Sequence, residues 1–81
     1  MNLAELRKLR GISQTEVARA MGTQQGQISR IEHQSNVKIA TLRSYVEALG
    51  GRLELMVTFP DGAMIVLNIG GTEEEGEGDT T

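Results

Sequence analysis

The sequence predicts a mainly α-helical fold that ends in a β-hairpin. Apolar residues recur at helical spacing in four segments between residues 2 and 49. From Arg52 onward they alternate with a period of two, which is typical of β-strands. We therefore predict a helical domain over residues 1–51 and a hairpin over residues 52–69. Residues 70–81 contain no apolar side chain and are expected to be a disordered acidic tail.

The first two helices are joined by a short turn. The first covers roughly residues 2–10, where leucine recurs at every third position. The sequence SQTE that follows predicts a capping box, in which the side chain of Ser13 accepts from the N–H of Glu16 and the glutamate reaches back. The second helix is expected over roughly residues 14–21 and ends at Gly22. Its inner face carries Val17, Ala18 and Met21.

Two further helices are predicted before the hairpin. Thr23 is the expected N-cap of the third helix, roughly residues 24–33, with Ile28 and Ile31 buried. A pair of glycines ends the fourth helix, and Tyr45 on its apolar face is expected in the core. Apolar residues of this helix fall at positions i, i+3, i+4 and i+7, namely Leu42, Tyr45, Val46 and Leu49.

The hairpin is indicated by a turn sequence between two strands. Pro60 sets its own φ angle, Asp61 can bond its own backbone, and Gly62 tolerates positive φ. The flanking strands are apolar, and a free two-stranded hairpin is marginally stable. We therefore expect the hairpin to pair or pack with the same segment of a second subunit, or with another partner. The residues expected in this interface are Leu53, Leu55, Val57, Ile65 and Leu67.

The charges divide the chain into a basic part and an acidic part. All eight Lys and Arg residues lie within residues 1–52 together with four acids, so this part has a net charge of +4. Residues 53–81 contain the other seven acids and no base, which gives −7. The overall charge of −3 therefore combines a basic region suited to nucleic acid with an acidic region suited to a basic partner.

Composition argues against an enzyme, a metal site and a membrane protein. The chain has no cysteine and a single histidine, His33, so a thiol nucleophile or a cluster of Cys and His ligands is excluded. We find no glycine loop suited to phosphates and expect no cofactor. The N-terminus lacks the apolar stretch of a signal peptide, and no segment approaches the roughly 20 apolar residues of a membrane span. We expect a cytoplasmic protein without a membrane partner.

The second and third helices are spaced as in a DNA-binding motif. Ala18 is followed by Gly22 four residues on and by Ile28 six residues further. A small residue lets the helices cross, glycine accepts the left-handed backbone of the turn, and isoleucine fills the angle between the helices. Arg7 and Glu32 are placed to pair as a structural tie. With the glutamine that opens the second helix, the chain resembles the phage-repressor or Xre-type helix-turn-helix family, which implies a lambda-repressor-like bundle of four helices.

This resemblance implies double-stranded operator DNA as a partner and a set of residues that contact it. Ser13 and Gln14 would bond a phosphate, while Gln25 can present its amide to adenine N6 and N7. Arg30 can bond guanine or a phosphate. Gly26 departs from the family pattern: it costs about 1 kcal/mol of helix propensity but permits close approach to the DNA. The implied set is Ser13, Gln14, Thr23, Gln24, Gln25, Gly26, Gln27 and Arg30.

The direct change from the fourth helix into a strand indicates a subgroup. Phage repressors of this family usually continue into a fifth helix, whereas this chain resembles the HigA-like and HipB-like antitoxins of type II toxin–antitoxin pairs. Such an antitoxin dimerises, represses its own operon and neutralises a toxin. Two alternatives stay open: a stand-alone Xre-type regulator without a toxin, and a protein-interaction module that does not bind DNA. A steep loss of duplex binding with salt would exclude the module.

Overall fold

The structure, a computed structural model, describes residues 1–67 of the 81-residue chain. The predicted fold class is confirmed, because four helices are followed by two antiparallel strands. The end of the predicted hairpin and the predicted disordered tail lie outside the described residues. Within residues 1–67, no helix combines the length and the hydrophobicity that crossing a membrane requires. The elements are α1 Leu3–Leu9, α2 Gln14–Met21, α3 Gln25–His33, α4 Ile39–Ala48, β1 Leu55–Thr58 and β2 Met64–Leu67.

Capping boxes begin both of the first two helices. At α2 the predicted box is confirmed: the N–H of Glu16 donates to Ser13 Oγ at 3.1 Å, and the N–H of Ser13 donates to Glu16 Oε1 at 2.8 Å. The same arrangement at α1 was not predicted. There the N–H of Glu5 donates to Asn2 Oδ1 at 2.8 Å, and the N–H of Asn2 donates to Glu5 Oε1 at 2.9 Å. Each pair satisfies backbone donors that the first turn of a helix leaves without partners.

The prediction that Thr23 caps the third helix was wrong. The N-cap of α3 is Gln24, which makes no side-chain capping bond. Thr23 instead belongs to the end of α2, since its N–H donates to the carbonyl of Ala18 at 2.9 Å. The N–H of Gly22 donates to the carbonyl of Arg19 at 3.2 Å, and Gly22 has a φ of +71°. This pair of bonds is a Schellman motif, so the threonine backbone closes one helix rather than opening the next.

The hydrophobic core lies where α2, α3 and α4 meet. Its buried residues confirm the predicted inner face of α3 and the core position of Tyr45, whereas Met21, Leu42 and Val46 on the predicted faces of α2 and α4 are only half-buried. Leu3 and Leu6 pack against this core from α1, whereas Leu9 is 70% exposed. Leucine at every third position turns by about 60° per step away from one face of a helix, so the third member of the series points to solvent. The core residues are Val17, Ala18, Ile28, Ile31, Tyr45 and Leu49.

The hairpin forms as predicted, with β1 and β2 antiparallel and Val57 paired with Ile65. Its turn follows the predicted chemistry: Asp61 Oδ1 accepts from the N–H of Ala63 at 2.9 Å, and Gly62 has a φ of +94°. Leu53, Leu55 and Val57 are half-buried, but every residue of β2 is exposed. None of the hydrophobic residues that the described chain packs against the core comes from the hairpin. The hairpin therefore shares little of the interior of the helical bundle.

Candidate nucleic-acid interface

The turn between α2 and α3 sets the direction in which α3 leaves the bundle. Ala18 is 3% exposed and Ile28 is fully buried, so both lie in the packed junction between the two helices, as their spacing predicts. The left-handed backbone at Gly22 makes the sharp change of direction possible without a Cβ penalty. Since Ile28 and Ile31 hold the inner face of α3, the residues on its opposite face are directed away from the core.

Glu32 joins α3 to each of the other three helices. Arg7 of α1 donates to its carboxylate from Nε at 2.6 Å and from Nη2 at 3.3 Å. Gln14 of α2 donates from Nε2 at 2.9 Å, and the hydroxyl of Tyr45 in α4 donates at 2.5 Å. The Glu32 side chain is only 2% exposed. The predicted tie between Arg7 and Glu32 is confirmed, and it is part of a larger buried network.

The sequence contained one unused signal for this network. A tyrosine on an otherwise apolar helix face usually needs a hydrogen-bond partner for its hydroxyl when it is buried. Tyr45 is fully buried, and its hydroxyl lies 2.5 Å from Glu32 Oε2 and 3.1 Å from the carbonyl oxygen of Leu3. Because the hydroxyl has one proton, the shorter contact to the charged carboxylate receives it.

The network keeps Glu32 ionised. Burial by itself would raise the pKa of this carboxyl, but the hydrogen bonds from Arg7, Tyr45 and Gln14 outweigh burial and lower the pKa below its ordinary value. The same contacts act on the partners. The hydrogen bond with Glu32 raises the pKa of Arg7, while burial and the adjacent carboxylate raise the pKa of Tyr45. At ordinary pH, Arg7 and Glu32 are therefore both charged and form an ion pair. Tyr45 stays neutral and donates a hydrogen bond.

Gln14 connects this buried network to the exposed end of α3. A carboxylate only accepts hydrogen bonds, so Gln14 must direct its NH2 group towards Glu32 and its oxygen away from it. The oxygen accepts from Nε2 of Gln25 at 3.1 Å. Glu32 therefore fixes the orientation of the Gln14 amide, and this amide in turn holds the side chain of Gln25, the first residue of α3.

The other residues predicted to contact DNA lie on α3, in the turn before it and at the start of α2. Gln24, Gly26, Gln27 and Arg30 are exposed on α3 or at its start, whereas Thr23 is half-buried in the turn. A Cβ at Gly26 would meet no atom of another element within residues 1–67, so the space beside this glycine is open. Ser13 is exposed at the start of α2 and uses its side-chain oxygen to accept from Glu16. The structure thus brings the start of α2 and the first turn of α3 together through the contact between Gln14 and Gln25.

The family of this chain is decided by its match to a known sequence pattern. The pattern described as "Helix-turn-helix" matches residues 3–56, which span all four helices and the start of β1. The chain belongs to the helix-turn-helix family. This is a family of DNA-binding proteins rather than of enzymes.

Among the members of this family, HigA proteins are similar to the chain. The protein named HigA3 in Mycobacterium tuberculosis is 38% identical over 65 residues, which are 76% of this chain and 60% of HigA3. Antitoxin HigA1 of the same organism is 42% identical over 59 residues, which are 72% of this chain and 40% of HigA1. The chain therefore spans between two fifths and three fifths of the length of these relatives.

Two solved structures are similar to the chain in both fold and sequence. One is described as "DNA bound antitoxin HigA3", with a TM-score of 0.76 and 37% identity, covering 84% of this chain and 90% of that one. The other is described as "Induced DNA bending by unique dimerization of HigA antitoxin", with a TM-score of 0.75 and 38% identity, covering 82% and 90%. The predicted resemblance to HigA-like members of the helix-turn-helix family is confirmed.

Proposed function

We propose that this chain is a sequence-specific DNA-binding repressor that acts as a homodimer in the cytoplasm. We further propose that it is the antitoxin of a type II toxin–antitoxin pair, which represses its own operon and neutralises a toxin. The observation that carries the proposal is the Gln25 amide, exposed at the first turn of α3 and oriented by Gln14.

The geometry of Gln25 suits an adenine edge. One hydrogen of its NH2 group goes to Gln14 Oε1. The second hydrogen and the side-chain oxygen are left to bond adenine N7 and N6 in the major groove. A base contact of this kind gains from a side chain that is already positioned, because less rotamer entropy is lost on binding. Gln14 thereby supports the base contact that was predicted for Gln25.

Phosphate contacts fit the start of α2 and the exposed side of α3. As the first residue of α2, Gln14 has a backbone N–H without a partner inside the helix, and its amide keeps one further hydrogen. The Ser13 hydroxyl accepts from Glu16 and can donate its own proton. Arg30 has an exposed guanidinium for a guanine or a phosphate. The net charge of +4 over residues 1–52 favours binding to the DNA backbone.

A homodimer follows from the size of the recognition element. α3 has nine residues and contacts too few bases for useful specificity alone. Two copies related by a two-fold axis would enter successive major grooves, with half-sites about 34 to 36 Å apart on a palindromic operator. The similar HigA structure whose description names dimerization supports this assembly.

The antitoxin role is supported by the names of the relatives and by charge. HigA1 of M. tuberculosis is named an antitoxin, and so are both similar structures. The −7 of residues 53–81 would be repelled by DNA and attracted by a basic toxin. This favours the antitoxin over the stand-alone regulator. Rescue of growth by co-expressing this chain with a toxin encoded beside its gene is the direct test of this part.

The DNA-binding role is tested by removing the Gln25 amide. We expect Gln25→Ala to weaken binding to the operator by about 1 to 3 kcal/mol and to relax the preference at one base pair, while binding to unrelated DNA is kept. Fluorescence anisotropy with operator, single-mismatch and unrelated duplexes measures all three. Gln34→Ala is the matched control, since it removes the same exposed amide at the other end of α3. Equal losses on operator and unrelated DNA would contradict the proposed base contact.

A further inference from the structure

The third helix, α3, contains a glycine that the fold of the chain does not require. The backbone of Gly26 lacks the positive φ that Gly22 adopts at +71°, so its conformation suits any residue. Apart from the backbone of its own helix, no atom of residues 1–67 lies within 4 Å of a Cβ built at Gly26. Glycine inside a helix also lowers stability relative to alanine. Close approach of a ligand to the backbone is a usual reason for such a glycine.

Gly26 lies at the centre of the outer face of α3. A helix turns by about 100° per residue, so Ile28 and Ile31 lie about 200° and about 140° around the helix axis from Gly26. Both isoleucines are buried in the core. The midpoint between them is about 170° from Gly26, almost on the opposite side of the helix. Gly26 therefore points directly away from the bundle, towards whatever α3 contacts.

Gln25 lies beside this glycine, about 100° around the helix axis, on the side of α3 that faces α2. Its Nε2 donates to Oε1 of Gln14, the first residue of α2, at 3.1 Å. The proposed phosphate contacts lie at the start of α2, so Gln25 stands between them and Gly26. Phosphates border the major groove, whereas base edges form its floor. The residue at the centre of the outer face is therefore the one that faces the floor of the groove.

The chemistry of a bare Cα limits what it can recognise. Gly26 has no side chain with which to bond a base, and its exposed Cα is apolar. Of the groups that distinguish base pairs in the major groove, the 5-methyl group of thymine is the apolar one. We propose that Gly26 determines specificity by accommodating a thymine 5-methyl group, in the same half-site as the adenine that Gln25 bonds. The inference rests on the proposed DNA-binding function and adds a second base feature that α3 reads.

The contact requires glycine because α3 must lie deep in the groove. The amide of Gln25 reaches a base edge only when the start of the helix is close to the floor. Carbon atoms in contact are about 3.5 to 4.0 Å apart, and a Cβ would project about 1.5 Å beyond the Cα. A thymine methyl that touches the Cα of Gly26 therefore leaves no room for a Cβ. The helix gives up the propensity of a larger residue and gains this close contact.

The experiment exchanges one methyl group between the protein and the DNA. The probe is the duplex that the full-length chain selects from a random library. Each symmetry-related pair of its thymines is replaced in turn by deoxyuridine, which lacks only the 5-methyl group. Fluorescence anisotropy measures the binding of the unsubstituted chain and of Gly26→Ala to every duplex. Uracil at the other thymines is the matched control, and circular dichroism with urea unfolding checks that the variant is folded and at least as stable.

We expect the two proteins to have opposite preferences at one thymine of each half-site. Uracil there should weaken binding of the unsubstituted chain by about three- to fivefold per half-site, because one buried methyl group is lost. Gly26→Ala should bind the thymine duplex at least about tenfold more weakly, because its methyl group overlaps that of the base. It should bind the uracil duplex about fivefold or more tighter than the thymine duplex, since the alanine methyl then fills the vacated space.

Each other outcome overturns the inference. Equal binding of both proteins to the thymine duplex means that α3 lies too far from the bases for the glycine to matter. Weaker binding of Gly26→Ala that uracil restores at no thymine means that the glycine faces the DNA backbone. Gln25→Ala separates these failures from that of the proposed function. If it loses the adenine preference while no thymine distinguishes Gly26→Ala, the methyl contact is refuted and DNA binding stands, whereas a chain that selects no duplex refutes both.

Discussion

The helices bury Val17, Ile28 and Tyr45 completely, whereas the hairpin leaves all four residues of β2 at least 45% exposed. The two regions also differ in their ion pairs. The pair of Arg7 and Glu32 has side chains that are 9% and 2% exposed, but those of Arg52 and Glu54 are 81% and 52% exposed. The helical bundle therefore buries apolar side chains and an ion pair within one chain, whereas the described part of the hairpin leaves its strand β2 and its ion pair exposed.

This difference indicates which parts of the chain depend on other molecules. The core and the buried network around Glu32 use only residues from the helices and their ends. The bundle can therefore orient Gln25 before any DNA is present. The apolar hairpin has no comparable partner within residues 1–67, which is typical of a surface that is covered on association.

The largest effect is expected when the buried network loses its centre. Glu32→Ala leaves the guanidinium of Arg7 buried without its carboxylate, and we expect it to lower the free energy of unfolding by about 3 to 5 kcal/mol. Glu54→Ala in the exposed pair is the control and should change it by no more than about 1 kcal/mol. Urea unfolding monitored by circular dichroism measures both. Similar losses in the two variants would remove the distinction between the regions.

The pH dependence of the free energy of unfolding is a second test of the same network. Because the pKa of Glu32 is lowered in the folded chain, its stabilisation is present above the unfolded value of about 4.3 and is lost as the pH falls through the folded pKa. In Glu32→Ala this part of the acid-induced loss should be absent. An unchanged acid dependence would assign it to other carboxyl groups.

The next largest effect concerns removal of the hairpin. Truncation after Gly51 keeps every core residue, so the product should remain helical. It should be mainly monomeric and bind a two-half-site operator about 100-fold or more weakly, because the link between the two half-sites is lost. Sedimentation and anisotropy measure these properties, with truncation after residue 69 as the control that removes only the tail. A truncated chain that is still dimeric at micromolar concentration would place the interface on the helices.

The smallest effect is expected at Gly26. Folding of the bundle does not require a glycine at this position. Apart from the backbone of its own helix, no atom of residues 1–67 lies within 4 Å of a Cβ at Gly26, so Gly26→Ala should stabilise the free protein by about 1 kcal/mol. If the DNA backbone approaches this position, the same variant binds the operator more weakly. Gly22→Ala is the contrasting control: its φ of +71° predicts a loss of about 1 kcal/mol or more. Unchanged operator binding by Gly26→Ala would show that glycine is not needed for contact.

Local patterns were sufficient for most of the fold. Helix ends were predicted to within one residue where a capping box or a left-handed glycine marks them, as at Ser13 and Gly22. The error at Thr23 arose because a threonine after glycine can cap the following helix or complete a Schellman motif. Side-chain type alone does not distinguish these two uses. The missed box at Asn2 had a usable signal, since Glu5 follows at the required spacing.

The candidate interface was predicted less completely. Gln14 and Gln25 were both implied as DNA contacts by the family resemblance, Gln25 because it lies at the start of the third helix. Their mutual contact and the link from Gln14 to Glu32 were not predicted. The hairpin was expected to pack against a partner. Which backbone groups of its strands are left without a partner strand became evident only from the strand register.

The sequence by itself determined the elements and their order, while the family resemblance accompanied the prediction that Arg7 pairs with Glu32. Periodicity, caps and glycines depend on neighbours within about four residues, which the printed sequence contains. Only the tertiary structure decided that Gln14 and Tyr45 share the same carboxylate, at separations of 18 and 13 residues. These contacts depend on the angles at which the helices pack, and no local pattern encodes an angle between distant segments.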